Sequence, residues 1–126
     1  MIQNIKFKYL YRDFGNYKNV GSVVFPNPDN ISIIEVNEEL EKAFHQSIFF
    51  VAQQIGLQEL FFKDFPSDDD ISFHEFDGVE MSDEAPNDLY KRTIKEFVQL
   101  VILESTKGWE VFDPMERLFY IENSSI

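Results

Sequence analysis

The segment from Asp64 to Asp88, here called the acidic segment, constrains this chain more than any other sequence feature. It contains ten carboxylates and one histidine but neither lysine nor arginine, so it carries most of the net charge of −12. In its middle, residues 71–76 (Ile-Ser-Phe-His-Glu-Phe) place apolar side chains between polar ones, which is typical of a half-buried β-strand. Such a strand holds its carboxylates on folded structure rather than on a disordered tail, so we expect a fixed acidic surface.

The composition favours one globular domain over a disordered acidic chain. Fourteen phenylalanines and five tyrosines in 126 residues supply ample area for a core. The absence of cysteine excludes disulfides, thiolate metal ligands and a thiol nucleophile, and it fits a reducing cytoplasm. The length predicts a single domain, residues 1–126. Because the N-terminus does not resemble a leader and no apolar run has membrane length, we expect this domain in the cytoplasm without membrane attachment.

Residues 2–25 predict a β-hairpin that forms the basic pole of the molecule. Two alternating runs flank the turn-like residues 13–16, and a common core face requires odd-numbered residues to pair with odd-numbered ones. This pairing needs a loop of three or five residues, and the sequence leaves both registers open. The hairpin has one carboxylate, Asp13, against four cations: Lys6, Lys8, Arg12 and Lys18.

Two capping boxes predict the starts of two helices. Ser32 with Glu35 predicts a helix over 33–55 that ends at Gly56. Thr93 with Glu96 predicts a second helix that begins at about 88 or 93, runs to 106 and ends before Gly108. Residues 57–65 have no clear period and are interpreted as extended chain.

The C-terminal residues predict a second hairpin, with strands over 109–112 and 117–121 and a proline-containing turn over 113–116. The element order then predicts an α+β fold. Its antiparallel sheet contains the N-terminal hairpin, the central acidic strand and the C-terminal hairpin, with two helices packed on one face.

Several strings, spread over most of the chain, carry a resemblance: residues 11–19 (Tyr-Arg-Asp-Phe-Gly-Asn-Tyr-Lys-Asn), 23–28, 50–52, 56–57, 60–62 and 74–80 (His-Glu-Phe-Asp-Gly-Val-Glu). Together they resemble a family of short, acidic, uncharacterised bacterial proteins. That family has no established activity, so the resemblance implies one intact domain and no particular mechanism.

Neither catalysis nor a specific metal site is indicated by the pattern of polar residues. His74, Glu75 and Asp77 could form a general-base group, but neighbouring residues of a strand point to opposite faces and no nucleophile-elbow serine is present. Asp68, Asp70, Asp77 and Glu80 could bind a hard cation weakly, but no EF-hand loop is present. We therefore expect no enzyme activity and no cofactor.

Two functional hypotheses remain. In the first, the chain is an inhibitor, an immunity protein or a nucleic-acid mimic that binds a basic protein through the Asp68–Asp88 surface. The residues assigned to that surface are Asp68, Asp69, Asp70, Glu75, Asp77, Glu80, Asp83 and Glu84. The net charge opposes direct binding of nucleic acid.

In the alternative hypothesis, the Arg12–Asn19 hairpin loop binds or sequesters a small anion or nucleotide, since it combines hydrogen-bond donors with an aromatic stacking face. The residues assigned to this site are Arg12, Asn16, Tyr17, Lys18, Asn19 and His74. A third interpretation is that the acid provides only solubility.

Overall fold

The structure, a computed structural model, describes residues 3–117 and has a mixed α+β architecture. One antiparallel sheet has the strand order β2-β1-β4-β3, where the strands are β1 (Asn4–Arg12), β2 (Lys18–Phe25), β3 (Phe49–Phe50) and β4 (His74–Ser82). The helices are α1 (Ile33–Ala43), a short 3₁₀ helix (Ala52–Ile55) and α2 (Ile94–Lys107), and residues 114–117 form a further helical turn. The predicted α+β class with an antiparallel sheet is confirmed. No helix among these residues is both long enough and apolar enough to cross a membrane.

The N-terminal hairpin pairs odd residues with odd residues, from Ile5 opposite Phe25 onward, as the alternation requires. The strands are joined by the longer of the two possible loops, residues 13–17. The loop is closed by hydrogen bonds between Asp13 and Tyr17: the Asp13 amide donates to the Tyr17 carbonyl (3.2 Å), and Oδ1 of Asp13 accepts from the Tyr17 amide (3.0 Å). The hairpin therefore ends in an ordered turn.

The core lies on the odd-numbered face of β1. Its side chains Ile5, Phe7, Tyr9 and Tyr11 are buried, and they share one apolar cluster with buried residues of both helices. Phe7 lies at the centre, with its ring centroid 5.2 Å from that of Phe97 on α2 and 5.3 Å from that of Phe76 on β4. Because burial of a large apolar side chain contributes about 2 kcal/mol, this cluster is the main source of stability.

The first helix begins at Ile33 as predicted, with Ser32 Oγ accepting from the Glu35 amide (3.1 Å), but its predicted end near residue 55 is wrong. The helix ends at Ala43. Gln46 and Ser47 adopt left-handed φ angles of 52° and 67° and reverse the chain into β3. The predicted helix is too long because apolar residues recur every three or four positions beyond Ala43. They do so because α1, β3 and the 3₁₀ helix all bury residues in the same core.

The second helix begins at Ile94, which matches the later of its two predicted starts, and its capping box is complete. Thr93 Oγ1 accepts from the Glu96 amide (3.1 Å), and Glu96 Oε1 accepts from the Thr93 amide (2.9 Å). Both bonds satisfy amides that the helix leaves without partners. Residues 57–65, interpreted as extended, include no β-strand.

The predicted C-terminal hairpin is not found in the described residues. Residues 109–112 form no strand, and residues 114–117 are helical. The indole Nε1 of Trp109 donates to the Ala43 carbonyl (3.2 Å), and the Glu110 amide donates to Oε1 of Gln54 (2.8 Å). These bonds tie the segment to the end of α1 and to the 3₁₀ helix instead of to a sheet. Apart from Arg117, the second predicted strand (117–121) lies outside the described residues.

Candidate functional site

The central strand of the acidic segment lies beside the basic strand of the N-terminal hairpin. β4 pairs with β1. Two carboxylates of β4 and one in the loop after it form ion pairs with cations of β1 on the outer face of the sheet. The pairs are Arg12–Glu75 (2.9 Å), Lys8–Glu80 (3.6 Å) and Lys6–Glu84 (2.7 Å). Much of the acid expected to face a partner is thus neutralised within the fold.

A β-bulge at Gly78 makes this pairing possible. The register shifts between Phe7, which lies opposite Val79, and Tyr9, which lies opposite Phe76, and Gly78 has a φ of 97°. Residues five apart on a regular strand point to opposite faces, but the extra residue returns Glu75 and Glu80 to the same face. A glycine inside an otherwise alternating strand is typical of a bulge, and here the bulge aligns two carboxylates with the cations of β1.

Asp70 does not project from the surface as expected. Only 8% of it is exposed, and its carboxylate accepts from the Tyr11 hydroxyl, from the Ser67 amide (2.8 Å) and from Ser67 Oγ (3.1 Å). Burial and the bond to Asp70 raise the pKa of Tyr11, so this phenol remains a neutral donor. Asp70 therefore holds the chain together and is withdrawn from the predicted partner-binding set.

His74 is fully buried on the core side of β4. Its Nε2 accepts from the Leu60 amide (2.9 Å), and its ring lies among aromatic rings, with centroids 5.2 Å from Tyr11 and 5.1 Å from Phe61. Burial lowers the pKa of His74 to about 4, with a smaller contribution from the charge of Arg117. A neutral imidazole inside the core is not placed to bind a ligand with the hairpin loop or to act with Glu75.

The other residues of the predicted ligand loop are only partly available. The Arg12 guanidinium already bonds to Glu75 and, through Nη1, to Oδ1 of Asn16 (2.6 Å). The side chain of Asn19 donates to the Leu60 carbonyl (3.0 Å). Tyr17 and Lys18 are exposed. The donors expected to hold an anion are thus mostly used inside the fold.

The carboxylates considered for a metal ion are separated. Asp70 is buried against Tyr11, Glu80 pairs with Lys8, and Asp77 is exposed at the bulge. Among residues 3–117, no group of three or more carboxylate and histidine side chains is arranged to hold a metal ion.

The hairpin loop instead docks on the acidic turn that precedes β4. The Phe14 amide donates to the Asp69 carbonyl (2.9 Å), and the Asp70 amide closes the turn by donating to the Ser67 carbonyl (3.1 Å). We call the two segments, residues 13–17 and 67–70, the hairpin end. It brings Asp68 and Asp69 from the first predicted site into the same region as Tyr17 from the second.

Two aromatic side chains of the hairpin end are exposed, in contrast to those in the core. Phe14 is 75% exposed and Tyr17 is 72% exposed, although hydrogen bonds order the loop that carries them. Within residues 3–117, no lysine or arginine forms an ion pair with Asp13, Asp68 or Asp69. The loop thus exposes two aromatic side chains in the same region as carboxylates that form no ion pair in the described chain. Asp83, also assigned to the first site, is exposed in the loop after β4.

Sequence reasoning missed Phe14. The sequence pattern places it in a turn, although a phenylalanine between Asp13 and Gly15 has no place in the alternating pattern of either strand. That misfit is the signal that could have identified it.

Comparison with known proteins adds no functional information. No family model, curated protein or solved structure matches this chain. The resemblance to short bacterial proteins therefore stays a prediction, and the hairpin end is the feature from which a function can be inferred.

Proposed function

We propose that this protein binds a basic protein partner through its hairpin end. Phe14 and Tyr17 act as anchors that enter an apolar pocket of the partner, and Asp13, Asp68 and Asp69 face its cations. The observation that carries the proposal is the exposure of Phe14 and Tyr17 on a hydrogen-bonded loop near carboxylates that form no ion pair in residues 3–117. Aromatic side chains supply much of the binding energy at protein interfaces, and they do so best at the centre of a desolvated patch.

The order of the loop supports binding rather than simple exposure. Its backbone is tied at Asp13, at Tyr17 and, through Phe14, to the acidic turn. Because the loop is already held in one conformation, little backbone entropy is lost when a partner binds it. An exposed aromatic on a fixed loop is therefore a more effective anchor than one on a mobile tail.

The charge distribution favours a basic protein as the partner. The net charge of −12 attracts basic proteins and speeds their encounter, while it repels nucleic acid. The row Glu75, Glu80 and Glu84 contributes little to this attraction, since each has a cation beside it. This favours an inhibitor or immunity-type protein with a local contact over a mimic that presents a long row of carboxylates.

The small-ligand alternative has less support, since Arg12 and Asn19 are engaged within the fold. A catalytic role also lacks support: the buried His74 has no serine or other nucleophile bonded to it in residues 3–117.

The test begins with capture of partners from a lysate of the source cells on the immobilised protein, followed by purification of each captured protein. Binding is then measured by calorimetry in low and high salt with wild type and with the double variant Phe14→Ser, Tyr17→Ser. Leu89→Ser, which changes another exposed apolar loop residue, is the matched control. We expect a basic partner whose affinity falls at least about tenfold in the double variant, is unchanged in the control and decreases with salt.

A partner that binds the double variant as tightly as wild type would overturn the proposal. So would an affinity that is insensitive to Asp68→Asn together with Asp69→Asn at low salt, because the charge complementarity would then lie elsewhere.

A further inference from the structure

The outer edge of β2 has unpaired backbone groups. β2 forms one edge of the sheet and pairs with β1 on its other side. At Val24 the outer edge is covered, since the Val24 amide donates to Oδ1 of Asn87 (2.8 Å) and the Val24 carbonyl accepts from the Asn87 amide (3.0 Å). Within residues 3–117, no backbone group bonds to this edge between Lys18 and Ser22.

The contacts of Val24 identify which groups point outward. In an antiparallel strand the N–H and C=O of one residue face one neighbour and those of the next residue face the other. Since Val24 bonds outward to Asn87, the even-numbered residues Lys18, Val20 and Ser22 also direct their N–H and C=O groups outward. The loop agrees, because the odd-numbered Asp13 and Tyr17 bond to each other across the hairpin.

The side chains of this edge are apolar, neutral polar or basic, and none is acidic. β2 contains no carboxylate, and Val20 is 70% exposed on the outer face, where it lies opposite Leu10 of β1. Natural edge strands are usually protected from pairing by charges, prolines or bulges. Here Lys18 is the one charge in the strand, and the regular register with β1 contains no bulge.

We propose that β2 pairs antiparallel with β2 of a second copy of this chain, about a two-fold axis at Val20. Val20 then lies opposite Val20 of the second copy, and Lys18 lies opposite Ser22. Asn87 ends the pairing beyond Ser22, and within that limit the proposed register is the one that places the exposed Val20 opposite itself. The register joins Val20 and Leu10 of both copies into one apolar stripe on the outer face, and it places no two like charges opposite each other.

A second copy fits this edge because the register is self-complementary and β2 itself carries no carboxylate. Two molecules of net charge −12 repel each other, and the approach costs least where no carboxylate is present, which is at β2. The pairing is short, so the dimer is weak and forms in the micromolar range or above. Salt strengthens this dimer because it screens the repulsion, whereas it weakens partner binding at the hairpin end, so the two proposals are separable.

The test is sedimentation equilibrium of the whole chain from about 1 µM to about 1 mM at moderate salt. Wild type is expected to pass from monomer to dimer. Val20→Lys and Val20→Glu, measured separately, each place like charges opposite each other at the axis and lower the association constant by about tenfold or more. Mixed in equal amounts, the two variants pair lysine with glutamate and recover dimerisation. That recovery shows that both variants are folded.

Ile34→Lys and Ile34→Glu make the same changes at an exposed residue of α1 and leave dimerisation unchanged. Hydrogen exchange gives a second readout, since the amides of Val20 and Ser22 become more protected as concentration rises. The proposal is overturned if wild type is monomeric throughout, if the single variants dimerise like wild type, or if these two amides exchange equally fast at all concentrations.

Discussion

β4 and the turn of residues 67–70 at the hairpin end both belong to the acidic segment, yet their carboxylates have different roles. On β4 and just after it, Glu75, Glu80 and Glu84 face cations of β1. At the hairpin end, Asp68 and Asp69 lie on the turn that meets the loop of the exposed Phe14, and they form no ion pair within residues 3–117. The same residue type is structural in one region and available to a partner in the other.

The difference comes from the neighbouring strand. β1 is the basic strand, and its pairing with β4 brings lysine and arginine to the outer-face carboxylates. The acidic turn meets the tip of the hairpin, where the Phe14 amide donates to the Asp69 carbonyl. A high density of acid therefore does not by itself define a binding surface, since the surface is what remains after the fold has satisfied its own charges.

The largest expected effect concerns the buried side of β4. Since the pKa of His74 falls from 6.5 to about 4 on folding, the unfolded chain takes up this proton first as the pH is lowered. The neutral His74 contributes about 3 kcal/mol to the free energy of unfolding above pH 6.5. This contribution is lost progressively as the pH falls from 6.5 to about 4. Urea unfolding across this range, compared with His74→Phe, measures it. An identical pH dependence in the two proteins would contradict the prediction.

A matched pair of substitutions two residues apart tests the comparison directly. Asp70→Asn is expected to cost about 2 kcal/mol of unfolding free energy, because an amide cannot accept all the bonds that the carboxylate receives from Tyr11 and Ser67. Asp68→Asn, at an exposed position, is expected to cost almost nothing. Equal costs in chemical denaturation would show that Asp70 is no more structural than its neighbour.

The ion pairs of β4 are expected to have a smaller effect. Glu75→Gln removes the partner of Arg12 and should lower the free energy of unfolding by about 0.5 kcal/mol, since the pair is partly exposed to solvent. The difference from wild type should shrink in concentrated salt, which screens the attraction. A difference that does not change with salt would mean that lost packing, rather than charge, is responsible.

The smallest effect is expected at the hairpin end and has the opposite sign. Asp68→Asn together with Asp69→Asn should raise stability by about 0.3 kcal/mol at low salt, because it removes repulsion between neighbouring carboxylates. Thermal unfolding at low and high salt measures this gain, which should vanish at high salt. A loss of stability would show that these carboxylates, like those on β4, support the fold.

Several local features were predictable from the sequence. The parity of the N-terminal hairpin follows from its alternation, the starts of both helices follow from Ser32 and Thr93, and the bulge follows from Gly78. Each depends on interactions among residues close in the chain, such as a cap bond or the two-residue period of a strand. These signals need no knowledge of the rest of the fold.

Only the tertiary structure decided which carboxylates form no ion pair within the fold. Contacts between distant parts of the chain determine three features that the sequence did not show. These are the end of α1 at Ala43, the burial of Asp70 and His74, and the position of β4 beside the basic strand. An apolar period marks residues that face the core, but it does not state which strand will lie next to which. The sequence thus determined how much charge the protein carries, and the order of strands determined where that charge is cancelled, because ion pairs form only between side chains that the fold brings within a few ångströms.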